Sequence, residues 1–246
     1  MVKLIVYITK TIVAILVALV VASCQYSIDL GDSIKGSGNV ISENRPVNGD
    51  FTSIEVSRGI DVIVAQSNIK SIEVKADDNI IKHISTDINN SVLTITLDKS
   101  VKNLSSKKVY VSLPNIESLR STSGSSISSK NTLVVKSIDV KSSSGSEINI
   151  DVEAEKIICE SSSGSEISAE GKAIKLEVSS SSGSEIEAQN LFANDIIANS
   201  SSGSSIEIHP IISLSAKASS GSDIIYYNNP KSLTKKSSSG GSIKSN

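Results

Sequence analysis

The chain has 246 residues, with 24 lysines and arginines against 26 aspartates and glutamates and a formal net charge of −2. Only three of the cations are arginines (Arg45, Arg58, Arg120) and tryptophan is absent, so there is no basic, aromatic-rich surface of the kind that nucleic acid requires. The length suits one elongated domain with a lean core of Ile, Val and Leu.

Residues 1–23 read as a leader. Lys3 and Lys10 precede the apolar run TIVAILVALVVA, and small residues come after it, which is the layout of a secretory signal peptide. The run is too short for a comfortable membrane span. Val21-Ala22-Ser23-Cys24 is similar to a bacterial lipobox, and that likeness would make Cys24 the lipidated first residue of an exported protein held to the membrane. An ordinary signal peptide with a chance cysteine, or an uncleaved anchor, are the alternatives. The other cysteine is Cys159, so no disulfide is expected. Residues 24–46 are short, polar and weakly patterned and read as lipid anchor and tether.

Residues 47–120 form a β-rich N-terminal part. FTSIEV from Phe51, IDVIVAQ from Ile60, KSIEVKA from Lys70, SVLTITL from Ser91 and KKVYVSL from Lys107 alternate apolar and polar residues with the period of a half-buried strand. One short helix is expected at Asp77–Ile84, in ADDNIIKHI, with Asp77 or Asp78 as its cap. This part is expected to close the N-terminal end of a solenoid formed by the rest of the chain, because a solenoid must hide its first exposed coil.

From residue 121 to 246 one phrase recurs seven times, in forms such as SSSGSEI, around Gly124, Gly145, Gly164, Gly183, Gly203, Gly221 and Gly240. A period near 19–20 residues is the mark of a stacked solenoid. Isoleucine stands three residues after every glycine, from Ile127 to Ile243. Apolar residues also fill the position seven before it (Ile138, Ile157, Leu176, Ile196, Leu214, Leu233) and five before it (Val140, Cys159, Val178, Ala198, Ala216). A further set stands nine after it (Leu133, Ala154, Ala173, Phe192, Ile212). Apolar residues two apart mean strands, so each repeat is one coil of an all-β helix: strand, Gly-Ser turn, strand and return.

The same parity sends two serine columns inward, Ser142, Ser161, Ser180 and Ser200 three before glycine and Ser144, Ser163, Ser182 and Ser202 one before it. Buried hydroxyls need partners, and a ladder from coil to coil would supply them. The column two before glycine (Thr122, Ser143, Ser162, Ser181, Ser201, Ser219, Ser238) faces outward as a hydroxyl strip suited to glycans or ordered water, or is a plain solvated face.

Two after glycine stand Glu147, Glu166, Glu185 and Asp223. Stacked carboxylates could attract a hard cation or another ligand weakly; equally, they form an acidic edge that keeps the coils soluble. His209, before Pro210, is expected in a loop, and His83 on a helix surface. Tyr226 and Tyr227 offer either an aromatic contact or one ring packed inward. No acid–base pair or Ser-His-Asp grouping stands at readable spacing, so no catalytic, metal or cofactor residue is assigned.

The lipobox, FTSIEVSRGIDVIVAQ, DDNIIKHI with LTITL after it, and the run of SGSxI coils together resemble the putative auto-transporter adhesin, head GIN domain family over about residues 47–227. The coils here read Gly-Ser-Glu-Ile where that family is named for Gly-Ile-Asn. The resemblance implies a right-handed β-helix and an adhesin role. The expectation is therefore a non-catalytic binding or structural module of the cell envelope, an outer membrane lipoprotein on the surface or periplasmic side, with a glycan or protein ligand. A carbohydrate-active, polysaccharide lyase-like β-helix enzyme is the alternative.

Overall fold

The computed structural model describes residues 33–246 and, upstream, Lys10. The stretch read as a leader, apart from Lys10, and Cys24 lie outside the described residues. The fold is all-β: a solenoid of about seven turns with a spacing near 19 residues. Its strands are β1 (Ile34–Lys35), β2 (Val40–Arg45), β3 (Ser53–Val56), β4 (Asp61–Gln66), β5 (Ser71–Asp77), β6 (Ile84–Asn89), β7 (Val92–Leu97), β8 (Val101–Lys102), β9 (Lys107–Leu113) and β10 (Ser118–Thr122). The regular coils supply β11 (Ser126–Ser129), β12 (Leu133–Ser143), β13 (Glu147–Ser162), β14 (Glu166–Ser181), β15 (Glu185–Ser201), β16 (Ser205–Ser219), β17 (Asp223–Tyr226), β18 (Ser232–Ser237) and β19 (Ser242–Ser245).

Each coil contributes to two walls. One wall stacks β3, β10, β12 and the later halves of β13 to β16 in parallel, and the other stacks β4, β11 and their earlier halves. The in-register isoleucines Ile127, Ile148, Ile167, Ile186, Ile206 and Ile224 are buried, as are Val140, Cys159, Val178, Ala198 and Ala216. Stacking like on like fills the interior at every rung, so each coil covers the core of the one before it.

The N-terminal part folds continuously with the repeats, but its coils are not stacked in chain order. Strands β3 and β4 pair with β10 and β11 on one side and with β7 and β9 on the other, so the coil of residues 53–66 lies between two coils made later in the sequence. Two antiparallel additions end the stack: β6 on β7, and β5 with β2 on β9. Strand β2 lies inside the stretch read as tether, and pairs along its whole length with β5.

Three expectations are corrected. The helix is a single 3₁₀ turn, Ile81–His83, without a side-chain cap; Asp77 belongs to β5 and its buried carboxylate serves elsewhere. The second serine column is exposed, because Ser144, Ser163, Ser182 and Ser202 sit at φ 56–57° beside glycines at φ 67–69°. Two successive left-handed residues break the strand alternation, and the serine after the glycine turns inward in their place. The column nine after glycine also drifts. Coil lengths differ between the turn and the return strand, so the register runs Leu133, Val152, Gly171, Leu191 and, two residues on, Val135, Ala154, Ala173, Ala193, Pro210. Phe192 and Ile212 fall outside the core, 45% and 43% exposed. Leu233, too, is exposed in the outermost coil.

Candidate functional site

The corner at each glycine is held by a repeated hydroxyl arrangement. Ser146 accepts a hydrogen bond from the Ser143 N–H at 3.0 Å, lies 2.8 Å from the Ser142 hydroxyl, and donates at 2.8 Å to the Ser121 carbonyl one coil back. Ser165, Ser184 and Ser204 repeat this with the carbonyls of Ser142, Ser161 and Ser180. The inner serines three before glycine donate to the carbonyls four residues ahead. The turn itself is tied between coils, as the Gly145 N–H donates to Ser163 O at 3.1 Å. An internal hydroxyl ladder therefore exists, but its second rail is the serine after the glycine. The signal that could have found it was the pair of consecutive positive-φ residues needed for so tight a corner.

Outside this corner, the wall formed by the later halves of β13 to β16 and by β18 carries a shallow groove of about 610 Å³. Its floor is the outward row Ser162, Ser181, Ser201, Ser219 and Ser238. Beside it runs a second outward row in which Lys141, Glu160, Ser179, Asn199, Lys217 and Lys236 are paired rung to rung. Lys141 meets Glu160 at 2.8 Å and, outside this row, Lys156 meets Glu177 diagonally at 2.8 Å. Lys217 and Lys236 are adjacent rungs, and among the described residues neither has a carboxylate within ion-pair distance. The outward serine strip is thus where sequence parity placed it, whereas its lysine flank went unread because the cations are spread over separate repeats.

The opposite wall is acidic. Glu147, Glu166 and Glu185 stand in register, Ser205 is next, and Asp223 comes after it, so Asp223 is separated from the three glutamates. The row continues backward through Ser126 to Asp61. Partial burial pushes the Glu166 carboxyl above the ordinary range, and the charges of Glu187, Glu147 and Glu185 add to this. Among the described residues, no three His, Cys, Asp or Glu side chains are placed to hold a metal ion.

The remaining singled-out residues are accounted for locally. His209 is part of β16, not a loop; its Nδ1 lies 3.2 Å from Gln189 O and its ring packs 4.5 Å from that of Phe192. His83 ends the 3₁₀ turn with Nδ1 2.8 Å from Asp98. Tyr226 packs inward, while Tyr227 is at the surface and donates to Glu207. Cys159 is free and fully buried, and burial, with the charge of Asp139 beside it, pushes its thiol up to about 12. It is a core residue rather than a nucleophile.

Fold and surface together define a parallel β-solenoid presenting flat, repeating polar walls. The chain belongs to the family described as "Putative auto-transporter adhesin, head GIN domain", whose model matches residues 50–230. Three crystal structures share the fold. A putative adhesin from Bacteroides fragilis NCTC 9343 is 22% identical, with 87% of this chain and 100% of that chain covered and a TM-score of 0.82. A putative adhesin from Parabacteroides merdae ATCC 43184 is 19% identical, with 88% and 100% covered and a TM-score of 0.71. A putative lipid binding protein from Parabacteroides distasonis ATCC 8503 is 18% identical, with 87% and 100% covered and a TM-score of 0.70. No curated protein matches the chain.

Proposed function

We propose that the chain is an exported binding module of the cell envelope, anchored in the outer membrane through lipid on Cys24, which acts as an adhesin and carries out no reaction. The observation that carries the binding part is the serine-lined groove, which runs along the solenoid axis across successive rungs that repeat the same outward serine. Such a surface repeats about every 4.8 Å, and so presents the same hydroxyl to each unit of an extended ligand. A rigid repeat of this kind suits a glycan chain, whose own hydroxyls can exchange hydrogen bonds with serine. Family membership supports the adhesin role, and the lipobox-like tetrapeptide before Gln25 supports the anchor.

The test is expression of the full chain in bacterial cells with labelled fatty acid, and then protease treatment of the intact cells. The chain should take up label and partition with detergent, and Cys24→Ser should do neither while keeping a folded solenoid. Cleavage on intact cells places the groove outside; protection places it in the periplasm and removes the adhesin role. A wild-type chain that takes up no label and stays in the aqueous phase overturns the anchor.

A further inference from the structure

We propose that the groove on the wall formed by the later halves of β13 to β16 and by β18 binds a linear polyanionic glycan, one carrying carboxylates at intervals along a hydroxyl-rich chain, with Lys217 and Lys236 as its anion-recognising end. This rests on the reading of the groove as a glycan site and names the class of glycan. Two independent features meet there. The first is the cavity itself, about 610 Å³ and floored by hydroxyls that are free to point at a ligand. The second is the pattern of charge compensation along its flank. Lys141 is neutralised by Glu160 and Lys156 by Glu177, each at 2.8 Å. Lys217 and Lys236, which line the groove where Lys141 and Lys156 do not, are stacked on each other instead, one rung apart.

Parallel rungs are about 4.8 Å apart, and like charges at that spacing repel each other. A carboxylate lying between the two ammonium groups reverses the sign of that interaction and meets both at once. From Glu160 to Lys236 the flank covers four rung intervals, about 19 Å, room for several units of a linear polymer. Glu160 at the far end disfavours extension of a polyanion past that point. The ligand is therefore oriented by charge at one end and held by hydroxyl exchange along the remainder. Asn199, between Ser179 and Lys217 in the same row, adds an amide that can donate to a ring hydroxyl or a carboxylate.

The experiment measures binding of the full chain to fluorescent oligogalacturonate, with neutral dextran oligosaccharide and polyglutamate as the comparison polymers. Oligogalacturonate should bind saturably and weaken with added salt, while dextran and polyglutamate should bind weakly or not at all. The double substitution Lys217→Gln with Lys236→Gln should weaken oligogalacturonate about tenfold, and Ser181→Val with Ser201→Val should weaken it without changing the salt dependence. Both doubles involve exposed or half-exposed positions, and an unchanged thermal transition confirms that each still folds. Equal binding of polyglutamate overturns the inference in favour of a nonspecific cationic patch. Tight dextran binding that survives the lysine changes overturns it too, but leaves the glycan site standing. Failure of every saccharide to bind removes both, without bearing on the lipid anchor.

Discussion

At the scale of single residues, the serines of the repeat divide into two kinds that composition cannot separate. Ser165 is buried and its hydroxyl has four groups within hydrogen-bond reach: the Ser162 N–H, the Ser161 hydroxyl and the Ser142 and Ser162 carbonyls. Ser163, two residues earlier, is exposed at φ 57°. Ser165→Ala should therefore cost about 1–3 kcal/mol, since it strands a buried donor and acceptor, whereas Ser163→Ala should stay within about 0.5 kcal/mol. Denaturant unfolding of the two variants measures the difference, and equal losses would contradict the hydroxyl ladder. Asp77 is a second residue whose role shows only in three dimensions. Burial pushes its carboxyl up, but the N–H groups of Gly38, Ser106 and Ser105, at 2.9–3.0 Å, outweigh burial and hold it below the ordinary value of 3.8. A carboxyl lowered in the folded state adds stability that is fully present above its unfolded value and is lost as the pH falls towards the folded one. Wild-type stability should thus fall more steeply than that of Asp77→Asn below about pH 4, with the variant already weaker at neutral pH. Parallel pH curves from thermal melts would show that Asp77 is not held in this way.

At the scale of elements, glycine acts in two different ways. A Cβ on Gly164 would meet nothing within 4 Å, so the corner asks only for its positive φ of 67°. Gly171, at φ 117°, lies where β14 passes β13, and a Cβ there would stand 2.2 Å from the Val152 carbonyl oxygen. Gly164→Ala should cost about 1–2 kcal/mol from backbone conformation alone. Gly171→Ala should cost about 2–5 kcal/mol, because strain and collision add; calorimetry on both variants gives the order. The sequence displayed the regular coils plainly, because every rung repeats the isoleucine and its apolar companions. It marked a turn at Gly59 but concealed that Arg58-Gly59, both at positive φ, form the equivalent corner, where VSRGIDV does the work of SSSGSEI with Val56 and Ile60 in place of the hydroxyl pair. An apolar pair and a hydroxyl pair can each fill such a corner, so a reading keyed to serine passes over the first. The drift of Phe192 out of the core has a similar origin. Counting from glycine fails once a coil gains or loses a residue on its way to the return strand, and only the pairing register restores the column. The groove was half legible: outward serines follow from parity, but two stacked lysines in different coils require the register as well.

At the scale of the whole molecule, the regular coils interact between residues about one period apart, as in the bond between Thr132 and Asp151, 19 residues on. The N-terminal coil is different. Thr52 reaches Glu117 at 2.8 Å across 65 residues, and β3 has no parallel neighbour nearer in sequence than β7. Its place between two later coils has a consequence for the order in which the molecule is made. A solenoid stacked in chain order can grow from its first coil as the chain emerges, each turn templating the next. Here the first coil to emerge has neither of its neighbours. One face stays bare until β9 has been produced and the other until β11 has. Growth must start in the SSSGSEI coils or at the junction with β10, and the early segment is threaded in by closing a long loop, the slow class of step. Pulse-labelled hydrogen exchange during refolding should accordingly show β13–β16 protected before β3 and β4. Under the export proposed above, a chain translocated from its N-terminus must keep residues 53–66 unpaired through much of its passage, with the strands that finally enclose them among those still to come.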